Sequence, residues 1–160
     1  VIRAVALVEG LSPHLVLAGH GPEKCRLRKI AANLGVSNRV HFIGEVSDTK
    51  PVLASLSLFV LASSFEGMSN SLLEAMAVGC PVAVTAVDEN TELIQRGVNG
   101  WLFPEADVQK LAETIFLALT QSSRSAAYAE VAKKSIQMSY TEGQMLERWK
   151  TLLESPRKNS

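Results

Sequence analysis

Neither sign of charge predominates. The 160 residues carry 16 basic and 16 acidic side chains, so no net field draws the chain toward nucleic acid or an anionic membrane. Long apolar runs are missing as well: stretches such as Leu56–Ala62 are far too short to cross a bilayer. No basic-then-apolar start with a small-residue cleavage site is present, so no secretory signal is visible. Only two cysteines occur, Cys25 and Cys80, far apart and in no metal-ligand spacing. They read as small buried hydrophobes in a reducing compartment, the cytoplasm, rather than as a disulfide or a zinc site. His14, His20 and His41 are scattered, which argues against a metal centre. With 47% hydrophobic and 20% charged residues, the composition is that of a globular domain, neither disordered nor repetitive.

What is present is an alternation of short apolar runs with longer segments of helical period. Val1 to Val8 reads as a helix entered partway, with no cap before it. The first strand, His14-Leu15-Val16-Leu17-Ala18, closes on Gly19 and Gly21-Pro22. A charged amphipathic helix follows from Glu23 to Leu34, stopped by Gly35. Arg39 to Ile43 is the second strand, ended by Gly44. Asp48 caps a short helix to Ser55, with Pro51 tolerated in its first turn. Leu58-Phe59-Val60-Leu61-Ala62 is an unbroken apolar strand of the kind buried on both faces of a parallel sheet. Further along come a helix from Ser71 to Val78, the buried strand Val82-Ala83-Val84, a helix from Glu89 to Gln95 and the strand Trp101-Leu102-Phe103. The rest is helical: from an Asp107 cap to Thr120, from Arg124 to Gln137, and from Glu142 to Leu153, the last opened by a Thr141/Gln144 capping box.

This order predicts one doubly wound parallel α/β sheet with helices on both faces, a Rossmann-like three-layer domain over residues 1–154, and a frayed tail over 155–160. Ligands on such sheets sit at the carboxyl ends of the strands, marked here by Gly19-His20-Gly21, by Gly44 and by Ser63 to Gly67.

The stretch from Ala62 to Val84 is the most informative. A buried strand delivers the chain into Ser63-Ser64-Phe65-Glu66-Gly67-Met68-Ser69-Asn70, and a helix starts near Ser71 with Glu74 in its first turn. Unpaired N–H groups at a helix start, together with the helix dipole, favour an anion such as a pyrophosphate. Gly67 lets the backbone approach a ligand closely, and Ser69, Asn70 and Ser71 can donate further hydrogen bonds. Yet Ser71-Leu72-Leu73-Glu74 also has the spacing of a capping box, which satisfies helix-end donors and needs no ligand. Local spacing leaves Glu74 between those two readings. Glu66, just past a buried strand and beside Gly67, has no evident structural duty.

Glu66-Gly67-Met68-Ser69-Asn70-Ser71-Leu72-Leu73-Glu74-Ala75-Met76-Ala77-Val78-Gly79-Cys80-Pro81-Val82 resembles the signature of the group 1 family of retaining glycosyltransferases: two glutamates with seven residues between them, the second opening Glu-Ala-Met-Ala-x-Gly-x-Pro-Val. Leu17-Ala18-Gly19-His20-Gly21-Pro22, Val40-His41-Phe42-Ile43-Gly44 and Gly97-Val98-Asn99-Gly100-Trp101-Leu102-Phe103 are similar to further family segments, so the resemblance reaches to about Leu119. It implies a two-domain GT-B enzyme, this chain being the C-terminal, donor-binding half and the acceptor-binding N-terminal half being absent from it. By the same resemblance Glu74 holds the donor ribose, and Glu66 lies by the transferred sugar in a positioning and electrostatic role. Gly67, Met68, Ser69, Asn70, Ser71 and Leu72 face sugar and pyrophosphate, with Gly19 and Gly21 nearby. Ile43, Gly44, Glu45 and Val46 take the nucleobase.

No metal or other cofactor is implied beyond the nucleotide sugar itself. Contact with a membrane is expected only through the other half. The family's upstream Gly-Arg and Lys-Gly, whose cations grip the donor phosphates, are not in this sequence, nor is the strand that carries the first of them. The fragment is therefore expected to be inactive alone. Met68-Ser69 stands where the family often has Phe-Gly, and Asp88-Glu89-Asn90 where a glycine pair is common. A sugar-nucleotide epimerase or phosphorylase of the same architecture, or a non-catalytic nucleotide-sugar-binding module, are the alternatives.

Overall fold

The computed structural model describes residues 1–63 and 69–139, and of Asp88, Glu89 and Ser139 the backbone alone. Helix α1 (Ile2–Leu7) leads into β1 (Leu15–Ala18), α2 (Lys24–Asn33), a single 3-10 turn (Ser37–Arg39) and β2 (Val40–Gly44). Then come α3 (Thr49–Ser55), β3 (Phe59–Leu61), α4 (Asn70–Val78), β4 (Val82–Thr85), α5 (Asp88–Leu93), β5 (Trp101–Phe103), α6 (Val108–Thr120) and α7 (Ser122–Ser139). The expected helix over Glu142–Leu153, with its capping box and Trp149, and the tail 155–160 lie outside the described residues.

Two of the helix starts are written in the side chains. Asp48 accepts a hydrogen bond from the Lys50 amide at 3.1 Å, and Asp107 from the Lys110 amide at 2.9 Å. Each carboxylate satisfies a donor that a helix start leaves without an intrahelical partner.

Every strand pair is parallel. Alternation along the strands sorts their side chains between two helical layers. Val82 and Val84 of β4 pack with Leu53, Leu72, Met76, Ala132 and Ile136 beneath α3, α4 and α7. Ala83, between them, points the other way, toward Val5, Leu111 and Ile115 of α1 and α6. A third cluster joins Ile2 to Ala31, Val36 and Val40 under α2. Three layers result, with β4 wholly buried at their centre. Gly100 shows how closely they fit: a Cβ there would lie 2.8 Å from Ile94 Cγ2.

The expected single sheet is instead two. Strand β1 pairs with β2, and β3 with β4 and β5 in the order β3-β4-β5. No hydrogen bond joins β1 to β3 among the described residues. A cavity of about 380 Å³ lies between their facing edges, where the 3-2-1-4-5-6 order of a doubly wound sheet has its central strand.

Polar side chains that stay inside are tied to the backbone. Thr85 Oγ1 donates to Leu61 O at 3.1 Å, and Asn90 Nδ2 to Thr85 O at 2.9 Å. Buried Asn99 spans the turn before β5, donating to Leu93 O and accepting from the Gln95 amide. Trp101, expected to be a structural strand residue, donates from Nε1 to Ser125 Oγ and lies against Arg124 and Tyr128. No helix among the described residues is long and apolar enough to cross a membrane.

Candidate functional site

Two loops meet where β1 and β2 end. The amide of Gly19, the residue after β1, donates at 2.6 Å to O of Gly44, the last residue of β2. Both residues have positive φ, +114° at Gly19 and +77° at Gly44, which side chains with a Cβ rarely adopt. The chain can thus turn twice in register at one sheet edge. Glu45 lies 3.8 Å from His20 Nδ1 across these loops, an exposed pair of little energetic consequence.

Beside them lies the cavity between β1 and β3. Its apolar wall is built by Leu15, Leu17, Val60 and Leu61, and its polar mouth by Thr49, Ser71 and Glu74, with Val46 alongside. The structure therefore brings together three of the residues singled out in the sequence, Val46, Ser71 and Glu74, although they come from the loop after β2 and from α4. Glu66, Gly67 and Met68 lie outside the described residues.

The start of α4 corrects one expectation. The helix begins at Asn70 with Ser69 as its N-cap residue, and the Leu73 amide donates to Ser69 O at 3.1 Å. Ser71 is consequently inside the helix, and Glu74 falls in the second turn rather than the first. The Ser71–Glu74 capping box is not formed, because the box needs its serine at the cap itself. Ser71 Oγ instead shares a 2.9 Å hydrogen bond with the buried Ser69 Oγ. The Glu74 carboxylate, exposed at the surface, accepts a 2.7 Å hydrogen bond at Oε2 from Thr49 Oγ1 of α3.

Ser71 and Glu74, three residues apart, share one face of α4. Asn70 is exposed at the first position of the helix. Leu72 is not part of the wall. Its side chain is fully buried in the core and its amide donates to Ser69 O at 3.1 Å. Ile43 is exposed at the outer edge of β2, on a different cavity that Arg28 and Phe42 also line. Thr49 escaped the sequence reading, where it was only the residue after a helix cap. Its significance depends on a partner 25 residues away, for which the sequence holds no local signal.

The arrangement offers an acceptor-rich carboxylate and small hydroxyls close to a helix start. That combination suits a ligand with vicinal hydroxyls at one end and an anion nearby.

Comparison with known proteins agrees in kind. The family model described as "Glycosyl transferases group 1" matches residues 1–121. The lipopolysaccharide core biosynthesis glycosyltransferase LpsE of Rhizobium meliloti is 37% identical over 129 residues, covering 81% of this chain and 37% of that protein. The N-acetyl-alpha-D-glucosaminyl L-malate synthase of Bacillus anthracis is 30% identical over 153 residues, covering 95% of this chain and 40% of that protein. Among solved structures, Anabaena HepE in complex with UDP superposes with a TM-score of 0.88 at 26% identity, over 96% of this chain and 44% of that one. The same protein has also been solved with UDP-glucose. This chain thus spans about two fifths of the length of these relatives.

Proposed function

This chain belongs to the group 1 glycosyltransferases, and from that membership we propose that it forms the nucleotide-sugar-binding half of a retaining enzyme that builds a polysaccharide or glycolipid in the cytoplasm. One observation carries the reading. Glu74, relieved of any capping duty, presents an exposed carboxylate on α4, on the same face as Ser71 and hydrogen-bonded to Thr49.

In this reading the ionised Glu74 accepts hydrogen bonds from the donor ribose. The nucleobase rests on the main chain at Ile43, Gly44, Glu45 and Val46, and the diphosphate faces the α4 start at Ser69, Asn70 and Ser71, with Gly67, Met68, Gly19 and Gly21 close by. Glu66 orients the transferred sugar. Transfer breaks the bond between the anomeric carbon and the diphosphate oxygen. The acceptor hydroxyl oxygen bonds to that carbon on the same face, and its proton passes to the departing diphosphate oxygen. Charge grows on the leaving diphosphate, so donors fixed at a helix start are worth more there than in the bound substrate. UDP and UDP-glucose in the HepE complexes support a nucleoside diphosphate as the donor's carrier.

A thermal-shift panel tests the reading. UDP, GDP and ADP, with the corresponding sugars, are added to the chain at millimolar concentration. A nucleotide bound with a Kd tenfold below its concentration adds about 1.4 kcal/mol to stability. One base is expected to raise Tm above the other two, and Glu74→Gln is expected to remove most of that rise without altering the ligand-free Tm. Equal shifts from all three and from inorganic pyrophosphate, or no shift at all, would refute the assignment.

A further inference from the structure

The contact between α3 and α4 assigns a role to a residue outside the family signature. Thr49 opens α3, whose start is pinned from both sides. The Asp48 carboxylate caps it, and Leu53, one turn on, is buried in the core cluster that also holds Leu72 and Met76 of α4. The Thr49 hydroxyl is thereby held against Glu74, with Oγ1 donating to Oε2 at 2.7 Å. Both residues border the cavity that Val46 and Ser71 also line.

An exposed glutamate has three side-chain torsions, and ordering it on a ligand costs rotamer freedom. Threonine, branched at Cβ, is stiff at its first torsion. A hydroxyl has one proton to give, and here it goes to a single carboxylate oxygen. We propose that Thr49 is a positioning residue for the donor ribose: by engaging Oε2 it holds the plane of the Glu74 carboxylate and leaves Oε1 aimed at the ribose hydroxyls. The proposal rests on the reading of Glu74 as the ribose acceptor. It makes Thr49, through Glu74, a determinant of the preference for ribose over 2′-deoxyribose.

The test measures the affinity of the chain for UDP, GDP and ADP, each beside its 2′-deoxy form, in the wild type and in Thr49→Val, Thr49→Ser, Glu74→Gln and the Thr49→Val/Glu74→Gln double variant. Valine keeps the shape of threonine and lacks the donor; serine keeps the donor. For the nucleotide that binds best, Thr49→Val is expected to weaken affinity about tenfold, as loss of a hydrogen bond to a charged group does, and to bring the ribose-to-deoxyribose ratio toward one. Thr49→Ser should restore that ratio, and Thr49→Val should add nothing on a Glu74→Gln background.

Two results would overturn the proposal in distinguishable ways. If Thr49→Val lowers the ligand-free Tm but leaves the ratio unchanged while Glu74→Gln abolishes it, Thr49 is only a tie between helices and the site reading survives. If no nucleotide binds, or Glu74→Gln leaves the ratio as it was, the site reading and the proposal fall together.

Discussion

The two cysteines differ in surroundings more than in chemistry. Cys80 is buried beneath α4 and β4, and burial pushes its thiol from 9.0 up to about 11, an effect partly offset by a hydrogen bond with the Phe59 backbone. Cys25 is exposed on α2. A thiolate is the reactive form, so a disulfide-exchange reagent near neutral pH is expected to modify one thiol quickly, Cys25, and Cys80 only once the chain unfolds. Rapid modification of both in the folded chain would contradict the packing. The same burial fixes a sign for pH. The folded-state value lies above the unfolded one, so this group's contribution to stability is intact below pH 9 and is lost as pH rises toward 11. Replacing Cys80 by alanine should flatten that alkaline decline relative to the wild type. The sequence reading had both cysteines as buried hydrophobes; Cys25 is the one that departs, because α2 turns that position to solvent.

Among the elements, those announced by local chemistry were legible. Asp48 and Asp107 were each read as helix caps, and each is found accepting an amide of its own helix. Alanine at Asp107 should cost about 1 kcal/mol, the usual worth of such a cap, seen as a lower urea midpoint with an unchanged m-value. An Asp107→Asn variant, still a good cap, should recover most of it; equal losses in both would mean that the carboxylate acts otherwise. Helix α4 was harder to place. Ser69 and Ser71 are both competent caps by composition, and the sequence reading started the helix at Ser71. The structure starts it at Asn70, with Ser69 buried at the cap position. A shift of one or two residues is small for a boundary but decisive for the site, because it carries Glu74 from a local capping role to a contact with α3.

For the molecule as a whole, a parallel three-layer domain followed from the alternation of strand-length apolar runs with helical periods. The parting of the sheet between β1 and β3 did not. The chain spans about two fifths of the length of its relatives. Sugar transfer by this chain alone is therefore expected to be undetectable. The positive charges that would stabilise a leaving diphosphate most strongly are not among the residues at the cavity mouth, which are Thr49, Ser71 and Glu74. Incubation with a radiolabelled nucleotide sugar and acceptor, followed by separation of free sugar from glycoside, checks this. Appreciable glycoside formation would show that the chain needs nothing further.

Over the described residues the sequence by itself determined which segments are strands and helices, their order and two of the caps. Those features depend on neighbours a few residues apart, where periodicity and capping chemistry act. Only the tertiary structure decided that Thr49 faces Glu74, that the Leu72 side chain lies in the core, and that Cys25 is turned to solvent. Each of these depends on how separate elements pack: Thr49 and Glu74 are 25 positions apart, and no local pattern records a distance across a fold.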